Sequence, residues 1–131
     1  MLSERIHITE RGRRELIVLK RRTGISQWNH LCRWALCVSL ADPNPPPQVD
    51  LETPSSVEMS WQTFAGADAD IYRAMLLVRC RRDGVALTPE AVGRALHLHL
   101  HRGIARLYGA PNVRSMADFV EAARRLARAT G

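Results

Sequence analysis

Apolar side chains recur at three- and four-residue spacing along most of this sequence, a period that predicts helices rather than strands. The first residues depart from this period, because residues 5–9 alternate polar and apolar side chains. That alternation predicts one short strand with Ile6 and Ile8 on its inner face. A strand of this length is not stable alone, so we expect a partner strand elsewhere in the chain or assembly.

The following segment predicts a helical hairpin over residues 9–40. Its first helix ends near Arg22 and turns Leu16 and Leu19 to one side. Gly24 can adopt the left-handed conformation that ends a helix, and Ser26 is a favourable cap for the next one. Residues 27–40 then predict a second helix that is more apolar than an average surface helix.

Residues 42–58 predict an extended surface connector. Five prolines lie between Asp42 and Ser56, and proline does not support regular helix. After the connector, Trp61 and Phe64 are expected to anchor the chain on the core. Three more helices are predicted within residues 68–129, and the second of them opens at Thr88 with proline at its first position.

These elements predict a mainly α fold: a compact single-domain helical bundle of about five helices over residues 1–131. A short N-terminal strand gives it a start like that of ribbon-helix-helix proteins. Apolar residues make up 46% of the chain, which is enough for one packed core.

Charge is distributed unevenly along the chain. The net charge is +6, but residues 35–70 contain no lysine or arginine, and the basic residues lie on either side of them. An acidic connector therefore separates two basic parts. This distribution favours an anionic partner.

The densest basic segment falls on the first predicted helix. Arg11, Arg14, Arg21 and Arg22 lie on the side away from Leu16 and Leu19, and Arg13 and Lys20 flank them. Guanidinium groups contact phosphate oxygens and release counterions, without requiring a particular base sequence. We therefore expect DNA binding with a strong salt dependence and a weak sequence preference. The candidate DNA-contacting residues are Arg11, Arg13, Arg14, Lys20, Arg21 and Arg22.

The histidines and cysteines do not predict a metal site. His97 and His101 lie one helical turn apart, but two ligands do not complete a zinc site, and His99 points elsewhere. They are interpreted as a polar helix face or an interface lining. The three cysteines, Cys32, Cys37 and Cys80, are interpreted as small buried apolar residues.

Other chemistry is not indicated by the sequence. It contains no glycine-rich phosphate loop, no nucleophile elbow and no signature of paired catalytic carboxylates. We therefore predict no catalytic residues, no metal and no cofactor. With no apolar stretch of signal-peptide or membrane-span length, we expect a cytoplasmic protein without a membrane partner.

Several segments resemble the DndE family of DNA phosphorothioation proteins. Residues 19–25 (LKRRTGI) and 31–40 (LCRWALCVSL) are similar to its N-terminal signature. Residues 58–66 and 70–72 resemble its middle segment, and residues 99–104 (HLHRGI) resemble its late helix. The similarity runs in order from about Ile6 to Phe119.

The resemblance implies a helical protein that assembles as a homotetramer and binds nicked double-stranded DNA through a basic surface. It implies a non-catalytic role in the replacement of a non-bridging phosphate oxygen by sulfur. The sulfurtransferase and ATPase subunits of such a system are separate chains and would be partners. Lys20, Arg21 and Arg22 match the basic end of the family's first helix, although this sequence uses arginine where relatives often use lysine.

Two other functions fit parts of the pattern. A ribbon-helix-helix regulator would pair its first strand across a dimer and direct Arg5, His7 and Thr9 to bases in the major groove. A protein-binding adaptor would instead direct its arginines to acidic partner surfaces.

Overall fold

The computed structural model describes residues 5–51, 54–110 and 114–130, with side chains as far as residue 128. The prediction of a mainly helical fold with a short N-terminal strand is confirmed. The elements, in chain order, are β1 (Arg5–Thr9), α1 (Glu10–Thr23), α2 (Trp28–Ala41), β2 (Pro54–Ser60), α3 (Trp61–Ala65), α4 (Ala69–Arg82), α5 (Pro89–Gly109) and α6 (Met116–Thr130).

The partner of β1 is β2, and the two strands form an antiparallel ribbon with Ile6 opposite Met59. The predicted connector is therefore too long, because its last residues belong to this strand. Val57 and Met59 alternate with exposed residues and are buried, as expected for a strand with one face on a core. This alternation is short and follows a proline-rich segment, so the composition of the region obscured the strand pattern in the sequence.

Capping interactions set the ends of α1. The Thr9 side chain accepts a hydrogen bond from the Gly12 amide at 3.0 Å, which satisfies one of the free donors of the first turn. Gly24 ends the helix with a φ of 77°, in the left-handed region that glycine adopts without strain. The predicted cap at Ser26 is wrong: Gln27 precedes α2 and makes no side-chain capping hydrogen bond.

Helix α5 runs through the centre of the core, and α2 packs along it. The two backbones meet at Gly103, where an added Cβ would lie 1.8 Å from the Ala35 carbonyl oxygen. Only glycine allows this approach. Trp61 and Phe64 are both buried, which confirms the predicted anchor after the connector.

A buried arginine joins α4 to the start of the connector. Arg79 donates hydrogen bonds to the carbonyl oxygens of Leu40, Asp42 and Asn44 at 2.9, 2.5 and 2.8 Å. It also forms an ion pair with Asp83 at 2.9 Å. This guanidinium is therefore satisfied by backbone and carboxylate oxygens and contributes to the fold rather than to a surface.

Among the described residues, no helix is both long enough and apolar enough to cross a membrane.

Replacing Gly103 by Ala should destabilise the protein by about 3 kcal/mol or more, because the new methyl group would overlap the α2 backbone. The matched control is Gly109→Ala, since a Cβ at that position would contact nothing within 4 Å. Chemical denaturation measures both variants. Equal stability of the two variants would contradict the packing described here.

Candidate nucleic-acid interface

Helix α1 presents two different sides. Leu16 and Leu19 are fully buried, as predicted, whereas Arg11, Arg14 and Arg21 are exposed. Three of the six predicted basic residues therefore lie on the accessible side of a helix whose apolar side is fixed in the core. The other three, Arg13, Lys20 and Arg22, are half-buried.

Two of the predicted DNA-contacting residues have carboxylate neighbours on the same helix. Arg11 lies 3.6 Å from Glu15, and Arg13 lies 3.8 Å from Glu10. Burial raises the pKa of Glu15, while the charge of Arg11 acts in the opposite direction. These contacts lower the net positive charge at the N-terminal end of the face.

Lys20 and Arg22 are positioned by aromatic side chains. The Lys20 ammonium lies 4.0 Å from the ring centroid of Trp28. The Arg22 guanidinium lies 5.6 Å from the ring centroid of Tyr108 and donates a hydrogen bond to the Tyr108 carbonyl oxygen at 3.2 Å. Such contacts orient a cation without neutralising it.

Arg14 and Arg21 form no ion pair with any residue in the described part of the chain. They are seven residues apart, so they lie along nearly the same line on the helix, about 10 Å from each other. They are the predicted residues with the greatest freedom to meet a phosphate.

The tertiary structure adds Arg114, which sequence analysis did not identify. Arg114 precedes α6 and lines a surface depression together with Val18, Arg21 and Arg22. No periodicity connects position 114 with α1, so no local sequence signal could have placed it there. The depression gathers three guanidinium groups from two distant parts of the chain.

Several arginines outside α1 are partly committed to hydrogen bonds within the fold, although Arg82 and Arg94 remain exposed. These residues donate hydrogen bonds to main-chain carbonyl oxygens, and they are Arg33, Arg79, Arg82, Arg94 and Arg102. Arg102 and Arg106 also form ion pairs with the buried Asp42, at 3.5 and 2.6 Å. Burial alone would raise the pKa of Asp42, but the Asn44 amide and Arg106 hold it below its usual value.

His97 and His101 hold β1 against α5. Their Nε2 atoms accept hydrogen bonds from the main-chain amides of His7 and Thr9, each at 3.1 Å. Their Nδ1 atoms lie 2.7 and 2.8 Å from the carbonyl oxygens of Gly93 and His97. Each ring therefore donates at Nδ1 and accepts at Nε2, which is the neutral form. Within the described ranges, no group of three or more potential ligands is arranged to bind a metal.

His99 is buried on the other side of α5. Its Nδ1 lies 2.7 Å from the Ser39 hydroxyl, and that hydroxyl accepts a hydrogen bond from Arg102. Since Ser39 accepts from Arg102, its own proton is available for His99. Burial, together with the charges of Arg102 and Arg79, lowers the pKa of His99 to about 4.

The cysteine prediction is correct for two of the three thiols. Cys32 and Cys80 are buried, and burial raises the pKa of Cys32 to about 12. Cys37 is exposed, so its interpretation as a buried apolar residue is wrong. Position 37 lies on the side of α2 that α5 does not cover.

The arrangement of β1 differs from that of a ribbon-helix-helix dimer. One edge of β1 pairs with β2 of the same chain, and the amides of His7 and Thr9 are bonded to α5. Thr9 is buried, and Arg5 and His7 both contact Glu58, at 2.7 and 3.2 Å. A second copy's strand would have to displace these interactions before β1 could enter a groove.

A family model described as "DNA sulphur modification protein DndE" matches residues 5–115. The chain belongs to the DndE family. The match covers most of the chain, confirms the resemblance and indicates involvement in DNA sulfur modification. Comparison with curated proteins and with solved structures gives no significant match.

The pKa of His99 predicts acid sensitivity of this DndE-family fold. The folded pKa of about 4 lies below the ordinary value of 6.5, so the unfolded chain binds more protons between these values. Stability present at neutral pH should therefore fall by up to about 3 kcal/mol as the pH is lowered through this window. Chemical denaturation across a pH series measures the loss.

The control for this prediction is His99→Asn, whose amide oxygen can accept the Ser39 hydrogen bond without titrating. The free energy of unfolding of this variant should fall less than that of the wild type as the pH is lowered from 6.5 to 4. If both proteins lose stability equally between pH 6.5 and 4, His99 is not the group responsible.

Proposed function

We propose that the protein is a non-catalytic DNA-binding component of the phosphorothioate modification system, which holds duplex DNA at nicks on the basic face of α1. Membership of the DndE family supports a role in DNA sulfur modification. The exposed positions of Arg14 and Arg21 support a contact between α1 and DNA. The proposal includes a cytoplasmic homotetramer that works with the sulfurtransferase and ATPase subunits. It requires no cofactor in this chain.

The observation that carries the proposal is the clustering of Arg21, Arg22 and Arg114 around one surface depression. Arg14 lies about 10 Å from Arg21 along the same helix. Phosphate binding requires convergent cations that are not already neutralised, and these four arginines have no carboxylate within ion-pairing distance in the described part of the chain. Arg11, Arg13 and Lys20 extend the same face. We expect Arg11 and Arg13 to contribute less, because Glu15 and Glu10 accompany them.

The six residues predicted from the sequence thus remain the proposed DNA-binding set, with Arg114 added. Backbone contacts of this kind are insensitive to base sequence and sensitive to salt. They suit a protein that recognises the shape and continuity of the backbone.

Substituting Arg14, Arg21 or Arg114 individually by Ala should weaken DNA binding and flatten the dependence of affinity on salt. Each phosphate contact removed should reduce the slope by about one unit. Fluorescence anisotropy of a nicked duplex over a salt series provides the measurement. Arg94→Ala is a control of equal charge, since Arg94 contacts the Val49 carbonyl oxygen and lies about 20 Å from Tyr108 along α5.

Unchanged slopes for the three variants, or an equal effect of Arg94→Ala, would show that α1 does not contact the backbone. Binding by the wild type should also be tighter to a nicked duplex than to an intact duplex of the same sequence. A preference for one base sequence regardless of nicks would favour a regulator. Absence of binding at physiological salt, with persistent binding of partner proteins, would favour an adaptor.

A further inference from the structure

Helix α4 has apolar side chains on two opposite sides. Its inner side, with Leu76 and Cys80, is buried against the body of the protein. Its outer side carries Ile71, Met75 and Val78, which are 60, 39 and 70% exposed. These spacings of four and three residues place the outer three in one stripe along the helix.

The three side chains form one apolar surface rather than scattered single residues, because they follow each other along one side of the helix. A shallow groove of about 440 Å³ adjoins the stripe, and it is lined by Leu40, Ala74, Met75, Val78, Arg79 and Arg82. An apolar stripe beside a groove that combines apolar side chains with arginine is a usual composition of a protein–protein contact.

The charges beside the stripe indicate which partner fits. Asp70 and Arg81 are eleven residues apart, three helical turns, so they lie on one line along the flank of the stripe. The Asp70 side chain is 93% exposed, with Arg73 as its neighbour at 3.1 Å. Arg81 is exposed and forms no ion pair with any described residue.

A twofold axis perpendicular to α4 reverses the direction of the helix and keeps the same flank at the interface. A second copy packed in this way therefore places its Arg81 opposite Asp70, and its Asp70 opposite Arg81. The midpoint of the two charges lies beside Met75, and Ile71 and Val78 are nearly symmetric about the same point. The surface is thus complementary to itself in charge and in the placement of its apolar residues, as a closed dimer requires.

We propose that the outer side of α4 forms an antiparallel, twofold contact with α4 of a second copy of this chain. The inference rests on the self-assembly proposed above and names the surface that would produce it. Ile71, Met75 and Val78 would form its apolar centre, and two symmetric Asp70–Arg81 pairs would set its register. The α1 face is not used, so assembly and DNA binding can be tested separately.

Sedimentation equilibrium of the full chain tests this contact. Val78→Asp should lower the average mass from that of the wild-type oligomer to half of that value, or to the mass of a single chain. The substitution would bury a carboxylate in the apolar centre of the contact, which is unfavourable. Val49→Asp is the matched control, because Val49 is 49% exposed on the connector, outside α4. Thermal unfolding of both variants verifies that the fold is retained.

A charge exchange tests the register even if the apolar variant proves unstable. Asp70→Arg and Arg81→Asp should each weaken association by about tenfold or more, because each places like charges opposite each other twice. The double variant, Asp70→Arg with Arg81→Asp, should recover association, since both pairs re-form with reversed sign. Salt should weaken the wild-type contact only modestly.

The outcomes separate the two proposals. A wild-type chain that is monomeric overturns both the tetramer and this interface. An oligomeric wild type whose mass is unaffected by Val78→Asp, or a double variant that stays as weak as the single ones, overturns the α4 interface alone. Dissociated variants that still bind nicked DNA with the wild-type salt slope per chain would support independent surfaces.

Discussion

The close contact between the backbones of α2 and α5 at Gly103 determines the arrangement of the other elements. Because Ala35 and Gly103 meet without intervening side chains, α5 lies deep in the core, and its remaining sides are available to other elements. His97 and His101 bind β1 on one side, and His99 bonds to Ser39 of α2 on another. Histidines that resemble metal ligands in the sequence are hydrogen-bonding partners in the fold.

The position of β1 then directs α1. Thr9 donates its amide to His101 and also caps the first turn of α1, so the strand and the helix are connected at one fixed point. Leu16 and Leu19 complete the attachment by burying the opposite side. The basic face is consequently presented outward by a helix that cannot rotate without losing its apolar contacts.

Arginine has two roles in this protein, and burial separates them. Arg79 and Arg102 are nearly inaccessible and bind carbonyl oxygens at the end of α2 and the start of the connector. The planar guanidinium suits this role, since it carries five donors in a fixed geometry. Arg14 and Arg21 have no such partners in the described part of the chain, so their charge is available to an external anion.

By itself, the sequence determined the five long helices, the end of α1 at Gly24, the apolar side of α1 and the family resemblance, because each depends on residues that are neighbours along the chain. The short helix α3 was not predicted. Helical spacing alone also indicates that Glu15 and Glu10 lie next to Arg11 and Arg13 and reduce the contribution of these two arginines to anion binding. Only the tertiary structure decided the pairing of β1 with β2, the roles of the histidines, the use of buried arginines and the position of Arg114. These depend on contacts between segments tens of residues apart, whose geometry is set by packing and leaves no periodic trace in the sequence.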